Sequence, residues 1–222
     1  PDLFFTGNQV SNKLYLNKGD LKFDDVTETS GTAADNKWKT GVAVVDINND
    51  DFLDIYICAA MYPSKEDKAN MLFVNQGLDE NGVPVFKELA KEYGIADTGN
   101  SMNATFFDYD KDGDLDAYIL NNSNIPVSSL GYAEQREVRA QDWEGVPKIF
   151  RGVGDMLLRN DNGKFVDVSE DAGIYGSLIG FGLGVMVVDI NNDLYPDIYV
   201  SNDFYERDYL YINNQDGTFR EE

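Results

Sequence analysis

The sequence contains no histidine and a single cysteine, Cys58, among its 222 residues. No disulfide can form within the chain, and without histidine the usual zinc sites and nucleophilic triads lose their commonest residue. Cys58 lies in an apolar stretch, so we interpret it as a small core residue. The chain also lacks a run of the roughly 20 apolar residues that a membrane-spanning helix needs. Its longest apolar run, residues 178–188, contains three glycines.

Positive charge is scarce as well. Lys and Arg number 18 against 40 Asp and Glu, which gives a net charge of −22. Because the affinity of proteins for nucleic acid comes mainly from Lys and Arg that neutralise phosphates, this balance argues against nucleic acid and against an anionic membrane surface. Acidity alone identifies no partner. The length of 222 residues and the apolar content of 42% suit one large β domain or two small ones.

The chain does contain a repeated acidic loop. Residues 108–116, DYDKDGDLD, place side-chain oxygens at positions 1, 3, 5 and 9 and a glycine at position 6. Hard cations such as Ca²⁺ take six to eight oxygen ligands, and glycine allows a sharp turn. Residues 46–54 and 189–197 repeat the four oxygen positions but have Asp51 and Leu194 at position 6. Glycine at position 6 sets the backbone geometry of the loop, and a leucine with positive φ is strained. The first and third loops therefore depart from the pattern at the residue that fixes their backbone.

The sequence therefore predicts three structural Ca²⁺ sites; the alternative is a solvated acidic turn. The expected side-chain ligands occupy positions 1, 3, 5 and 9: Asp46, Asn48, Asp50 and Asp54; Asp108, Asp110, Asp112 and Asp116; Asp189, Asn191, Asp193 and Asp197. The backbone carbonyls at position 7 are expected to contribute: Phe52, Asp114 and Tyr195. Position 12 is not the bidentate glutamate of an EF-hand. β-Branched and aromatic runs flank each loop, which predicts a β-hairpin with a metal in its loop.

The loops belong to a longer repeat. Each lies between the first two strands of a unit of four predicted strands, in which the third strand reads Leu-x-x-Asn and the fourth begins with Phe. The loops start at 46, 108 and 189, so the intervals are 62 and 81 residues. The longer interval contains an insertion over 122–154 with a short predicted helix over 133–140, which is either a binding loop or a variable loop without a role.

Repeated four-stranded units of this length are typical of β-propeller blades, and a sandwich or a solenoid is the alternative. We therefore predict an all-β chain in which 1–222 form one β-propeller segment. The blades are expected at about 1–31, which is partial, and at 38–95, 101–174 and 181–222. Asp2 aligns with position 9 of the loops, so the segment comprises three full blades plus three strands of a fourth.

A closed propeller has typically four to eight blades. A partial propeller leaves apolar blade faces and an unpaired strand edge, and such surfaces drive association. We therefore expect either the remainder of a longer propeller or another chain or copy to cover these faces.

Two features of the sequence resemble a known family. Residues 181–185, FGLGV, followed by the loop at 189–197, are similar to the FG-GAP repeat of integrin α-chain propellers. The whole chain more closely resembles the VCBS/FG-GAP repeats of bacterial ASPIC/UnbV-type, cartilage acidic protein-like proteins, as residues 12–19 and 202–219 illustrate. The resemblance implies a secreted or surface-exposed propeller stiffened by Ca²⁺, and it assigns no catalytic residues.

We therefore expect a non-catalytic module that binds protein or glycan at the cell surface, in an extracellular, periplasmic or outer-surface location. The alternatives are a fragment of a propeller-type polysaccharide lyase or hydrolase, and a spacer within a larger surface protein. A carboxyl group with a perturbed pKa away from the metal loops would favour the enzyme. Tyr56, Tyr118 and Tyr199 recur at one position of the second strand, and we interpret them as core between blades rather than as platforms for sugars.

Overall fold

The computed structural model describes residues 1–35, 37–61, 68–123, 154–176, 180–203 and 206–222. Over these residues the protein is all-β, with four antiparallel sheets and two helices of one turn each. The predicted helix over 133–140 and most of the insertion lie outside the described residues. Within the described ranges, no helix is long and apolar enough to cross a membrane.

Each sheet is a meander of strands that are consecutive in the chain. The first sheet has three strands: β1 (Leu3–Phe5), β2 (Lys13–Asn17) and β3 (Phe23–Asp25). The other sheets have four each: β4 (Trp38–Val45), β5 (Asp54–Ala60), β6 (Met71–Leu78) and β7 (Pro84–Glu88); β8 (Ser101–Phe107), β9 (Asp116–Asn121), β10 (Met156–Asn160) and β11 (Phe165–Asp167); β12 (Gly182–Val188), β13 (Asp197–Asn202), β14 (Tyr209–Asn213) and β15 (Phe219–Glu221). Helices α1 (Thr27–Ser30) and α2 (Ala90–Tyr93) follow β3 and β7.

The first two strands of every four-stranded sheet form an antiparallel hairpin around an acidic loop. β4 pairs with β5, β8 with β9 and β12 with β13. All seven residues of β5 and all six of β9 are buried. Because both faces of these strands are covered, their sequences are apolar at nearly every position instead of alternating.

Neighbouring sheets pack face to face through alternate residues of the second strand. Ile55 of β5 packs with Phe4 of the first sheet. Tyr56 and Cys58, on the opposite face of β5, pack with Ile119 of the third sheet. The same alternation joins the third sheet to the fourth, so the sheets form a row in chain order. Burial in this core raises the pKa of the Cys58 thiol, as the interpretation of Cys58 as a core residue requires.

The first strands of neighbouring sheets approach each other closely. A Cβ added to Gly41 of β4 would lie 2.7 Å from the carbonyl oxygen of Met102 and 2.9 Å from the Cα of Asn103. Only glycine allows this approach of β4 to β8.

The outer faces at the two ends of the row expose apolar side chains. Leu3 and Phe5 of the first sheet are 38% and 54% exposed, and Met186 and Val188 of the fourth are 57% and 41% exposed. Phe107 immediately precedes its loop, as Val188 does, but it is covered by the fourth sheet and is only 8% exposed. The difference in exposure therefore comes from the neighbouring sheet.

The tyrosines of the second strand follow the same division between covered and outer faces. Tyr56 and Tyr118 are fully buried between sheets, in agreement with their interpretation as core. Tyr199 is only half-buried, because it lies on the outer face of the fourth sheet.

In each four-stranded sheet, a side chain immediately before the third strand secures the N-terminal end of that strand; the equivalent strand of the first sheet is β2. The residue is always Asn or Asp: Asn12, Asn70, Asp155 and Asp208. Asn70 Oδ1 accepts the N–H of Ala59 at 2.8 Å, and Asp155 Oδ1 accepts the N–H of Asn121 at 2.8 Å. In the equivalent bonds, the N–H of Gly7 donates to Asn12 Oδ1 at 3.4 Å and the N–H of Asn202 donates to Asp208 Oδ1 at 2.8 Å. The third strand is thus tied to the second by a side-chain bond in addition to the ladder.

The second polar atom of this residue bonds to the tyrosine of the second strand. Asp155 Oδ2 accepts the Tyr118 hydroxyl at 2.8 Å, whereas Asn70 Nδ2 donates to the Tyr56 hydroxyl at 2.9 Å. Asn and Asp therefore serve as alternatives at one structural position. Asp155 is the buried acidic form, and burial raises its pKa from 3.8 to about 7.

This raised pKa predicts a specific pH dependence. The folded state binds the Asp155 proton more tightly than the unfolded state does, so the stability contributed by this carboxyl is complete below about pH 4 and is lost as the pH rises through about 7. Asp155→Asn introduces the amide that Asn70 provides at the equivalent position of the second sheet, and it removes the titrating carboxyl group. We expect the melting temperature of this variant, followed by circular dichroism in the presence of chelator, to change less between pH 5 and 8 than that of the wild type.

Asp208→Asn is the matched control. The hydrogen bond from Tyr199 lowers the pKa of Asp208, so this carboxyl contributes no change in stability between pH 5 and 8. Identical pH profiles for Asp155→Asn and the wild type would contradict the assignment.

Candidate metal centres

The three acidic loops share one backbone conformation. Position 4 has a positive φ in each loop, and so does position 6: Asn49 (57°), Lys111 (63°) and Asn192 (62°); Asp51 (70°), Gly113 (99°) and Leu194 (74°). The replacement of glycine at position 6 therefore leaves the geometry unchanged. Leu194 is held in a left-handed conformation that its side chain disfavours, so other contacts must stabilise the loop.

The carboxylates at positions 1 and 5 close each loop. In the second loop, Asp108 accepts the N–H of Asp112 and the N–H of Gly113, both at 3.1 Å. The same two bonds occur in the first and third loops at 2.9–3.1 Å. The position-5 carboxylate accepts the N–H of position 7 at 2.8–2.9 Å in all three loops. These bonds fix the turn of the loop and the orientation of the carboxylates at positions 1 and 5.

The carboxylate at position 9 is buried and joins the loop to the third strand. Its exposure is zero in every loop: Asp54, Asp116 and Asp197. Asp116 Oδ2 accepts the N–H of Tyr109, at position 2, at 3.1 Å, and its Oδ1 accepts the N–H of Asn160 at 2.8 Å. The first and third loops repeat both bonds at 2.8–3.0 Å.

The second loop brings three of its predicted ligands together. One carboxylate oxygen from each of Asp108, Asp110 and Asp116 lies within 4.8 Å of the others. Burial, with smaller effects from the charges of Asp110 and Asp112, raises the pKa of Asp116 to about 7. Burial and the charge of Asp112 raise the pKa of Asp110. Ionising all these groups is costly in this environment, and a bound divalent cation relieves that cost.

The donor set consists of oxygen atoms, which fits a hard cation such as Ca²⁺. Asp112, the fourth predicted side-chain ligand, lies outside the group of three. Among the residues that the structure describes, only the second loop brings ligand atoms of three acidic side chains within 4.8 Å of one another.

The first and third loops have asparagine at position 3. Asn48 Nδ2 donates to Asp50 at 2.9 Å, and Asn191 Nδ2 donates to Asp193 at 2.9 Å. The amide N–H groups thus bond to the carboxylate at position 5. Asn191 Oδ1 in addition accepts the N–H of Asp193 at 2.9 Å.

Comparison with known proteins identifies the repeat. Residues 1–57 match a family described as FG-GAP-like repeat. Over these residues the chain is similar to an FG-GAP-like repeat. The matched residues cover the first sheet, β4, the first acidic loop and the start of β5, and the match confirms the repeat type recognised in the sequence.

Two curated proteins are similar to about half of the chain. Cartilage acidic protein 1 of Homo sapiens is 27% identical over 125 residues, which is 53% of this chain and 18% of the human protein. Cartilage acidic protein 1 of Mus musculus is 26% identical over 125 residues, with the same coverage of both chains. The matched region thus spans less than a fifth of each relative.

Sequence reasoning missed the role of the asparagine at or near the C-terminal end of the third strand in each four-stranded sheet, and of β2 in the first sheet. The four residues are Asn17, Asn75, Asn160 and Asn213. The backbone N–H of each donates to the position-9 carboxylate, and Nδ2 donates to the position-8 carbonyl at 2.9–3.3 Å. Oδ1 accepts an N–H in the following turn at 2.7–2.9 Å. The signal was the recurrent Leu-x-x-Asn, to which no role had been assigned.

The first sheet contains the same arrangement around Asp2. Asn17 donates its N–H to Asp2 Oδ1 at 2.8 Å and its Nδ2 to the Pro1 carbonyl at 2.9 Å. Asp2 therefore holds the structural position of Asp54, Asp116 and Asp197, as their alignment in the sequence indicated.

The positive φ at position 6 of the acidic loops predicts the effect of an exchange with glycine. Leu194 is 77% exposed, so Leu194→Gly loses little burial and removes left-handed strain. We expect a gain of up to about 1 kcal/mol after the larger unfolded-state entropy of glycine is included. Urea denaturation in the presence of chelator measures this change.

The reverse exchange in the second loop is the control. A Cβ on Gly113 meets no atom within 4 Å, so the effect of Gly113→Leu is purely conformational, and we expect a loss of about 1–2 kcal/mol. A neutral Gly113→Leu would show that φ at this position does not constrain the loop.

Proposed function

We propose that this chain is part of a calcium-stabilised β-propeller that acts outside the cell as a non-catalytic module for binding a protein or a glycan. The observation that carries the proposal is the recurrence of one loop geometry in three sheets. In each, backbone N–H groups hold the acidic side chains at positions 1, 5 and 9.

The predicted ligands remain those at positions 1, 3, 5 and 9, with the carbonyls at position 7. When bound, Ca²⁺ supplies positive charge that neutralises the acidic side chains. The residues of the chain fix the geometry of the loop. The carboxylate at position 1 fixes the turn, and the carboxylate at position 9 connects the loop to the third strand. The ions therefore stabilise the junction between three strands of a sheet, which is a structural role.

The main alternative is an enzyme, and Asp155 is the group that bears on it. It is a carboxyl with a raised pKa that lies outside the acidic loops. Both of its oxygens accept hydrogen bonds, from Tyr118 and Asn121, and Asn70 holds the same position in the second sheet. This arrangement explains Asp155 as a structural residue and supports the non-catalytic proposal.

An extracellular, periplasmic or outer-surface location is consistent with the expected affinity. Extracellular calcium modules bind with dissociation constants of order 10⁻⁴–10⁻³ M, which suits a compartment with millimolar calcium. The net charge of −22 further strengthens the attraction of a divalent cation.

We expect calcium to raise the melting temperature and chelation to lower it, because a ligand that binds only the folded state stabilises it by mass action. At about 10 mM calcium the gain is roughly 1–3 kcal/mol per site for the affinities expected of extracellular modules. Differential scanning calorimetry with calcium and with chelator measures the shift. Asp112→Ala should reduce the gain, and Asp24→Ala, which removes an equal charge outside the loops, should not.

A wild-type melting temperature that does not respond to calcium contradicts the proposal. If chelation instead abolished binding of a partner without any change in stability, the ions would serve binding rather than structure.

The binding role is tested by probing arrays of glycans and of extracellular protein domains with the intact parent protein in calcium-containing buffer. Retention on one of these classes, without change to the bound molecule, supports the interaction module. Cleavage of a polysaccharide identifies the lyase or hydrolase alternative, and binding to neither class favours the spacer.

We further propose that the outer faces of the first and fourth sheets pack against another sheet of the same repeat. The faces between the described sheets provide the precedent, since the position of Val188 is covered in the third sheet by its neighbour. The 222-residue chain by itself should therefore self-associate. Sedimentation velocity in roughly 0.15 M salt, which screens the acidic surface, measures its mass.

Met186→Lys should reduce this association without lowering the melting temperature, because Met186 lies on the outer face and is 57% exposed. Leu21→Lys is the control, because Leu21 is 93% exposed and lies outside these faces. A wild-type chain that sediments as a monomer at all concentrations overturns this part of the proposal.

A further inference from the structure

A continuous path of hydrogen bonds joins the position-9 carboxylates of the second and third loops. Asp116 Oδ2 accepts the N–H of Tyr109 at 3.1 Å, and the Tyr109 carbonyl accepts Nδ2–H of Asn213 at 2.9 Å. The backbone N–H of Asn213 then donates to Asp197 Oδ1 at 2.9 Å. These four residues are all at most 3% exposed, so water competes little for the bonds.

Side chains on the surface of the same two loops are also in contact. Lys111 Nζ, at position 4 of the second loop, lies 4.1 Å from the centre of the Tyr195 ring, at position 7 of the third. The Tyr109 ring packs against Phe219 of the fourth sheet, with ring centres 5.9 Å apart. A change in the backbone of the second loop therefore reaches the third loop by a buried and by an exposed route.

The first and second loops are connected differently. Asn160, the counterpart of Asn213 in the third sheet, donates Nδ2 to the Leu115 carbonyl of the second loop at 3.1 Å. For the described residues, no hydrogen bond is recorded from Asn160 to the first loop. Among the described residues, an exposed bond of 3.4 Å from Asn49 Nδ2 to the Gly113 carbonyl links these loops.

We infer that cation binding in the second and third loops is positively coupled through Asn213, whereas the first loop binds independently. The inference rests on the proposed function, because it requires that the loops bind cations. A bound cation orders the position-9 carboxylate and the position-2 residue bonded to it. Ordering one end of the path lowers the conformational cost of ordering the other end.

The coupling is tested by calcium titration of the full chain, followed by NMR at one backbone amide in each loop. The reporters are Asp51, Gly113 and Leu194, whose N–H groups bond to the position-1 carboxylates. The second loop is disabled by Asp110→Asn with Asp112→Asn, which leaves Asp116 and the path in place. We expect the calcium affinity of the third loop to fall at least about 5-fold, and that of the first loop to change less than about two-fold.

Coupling between two sites is reciprocal. Asp193→Asn weakens calcium binding in the third loop and should therefore also lower the calcium affinity of the second loop. The factor should equal the one by which disabling the second loop lowers the calcium affinity of the third.

Asn213→Ala tests the path itself. It removes the Nδ2 donor but keeps the backbone N–H that bonds Asp197. In this background, disabling the second loop should change the affinity of the third less than about two-fold. Asn160→Ala is the matched control, because it deletes the same side chain from the third sheet and should retain the full coupling. Asn213→Asp keeps the size of the side chain but lacks the Nδ2 donor; it is a second variant should Asn213→Ala fail to fold, and it should likewise reduce the coupling.

The outcomes separate the inference from the function on which it rests. Calcium-dependent shifts in both loops with independent affinities would overturn the coupling and leave the proposed function intact. Equal coupling in Asn213→Ala and Asn160→Ala would overturn the path. The absence of shifts in all three loops would overturn the proposed function itself.

Discussion

A buried carboxylate at the start of the second strand is the constraint on which each four-stranded unit depends. Asp54, Asp116 and Asp197 are fully buried, and each accepts one N–H from its own loop and another from the third strand. A buried charge is costly unless it is paired and hydrogen-bonded. The surrounding loop and the asparagine of the third strand meet this requirement, so the acidic loop and the strand register are parts of one arrangement.

The third strand shows how this arrangement extends through the sheet. Its N-terminal end is held by the Asn or Asp that precedes it, and its C-terminal end by the asparagine that bonds the buried carboxylate. Both attachments reach the second strand, which is buried along its whole length in the second and third sheets. The sheet is thereby stiffened by side-chain bonds that do not belong to the β ladder, and such bonds are strongest where water is excluded.

These side-chain hydrogen bonds bear on function, because they give structural roles to the carboxyl groups that would otherwise suggest catalysis. Asp116 and Asp155 both have raised pKa values, yet each has both oxygens bonded to groups that recur at the same place in other sheets. A perturbed carboxyl is a candidate for catalysis only when its structural partners do not already account for it. The structural partners of Asp116 and Asp155 account for both carboxyl groups.

The sequence alone determined the number of units, the place of each acidic loop and the hairpin around it, because these features depend on local spacing and on alternation along a strand. It also located Asp2 at the position of the buried carboxylates. Only the structure showed that Asp51 and Leu194 keep the backbone of Gly113, since the bonds that their N–H groups donate to the position-1 carboxylate outweigh the preference of the side chain. The link from Asn213 to Tyr109 spans 104 residues of sequence. No local pattern encodes such a contact, because it exists only once the third and fourth sheets have packed together.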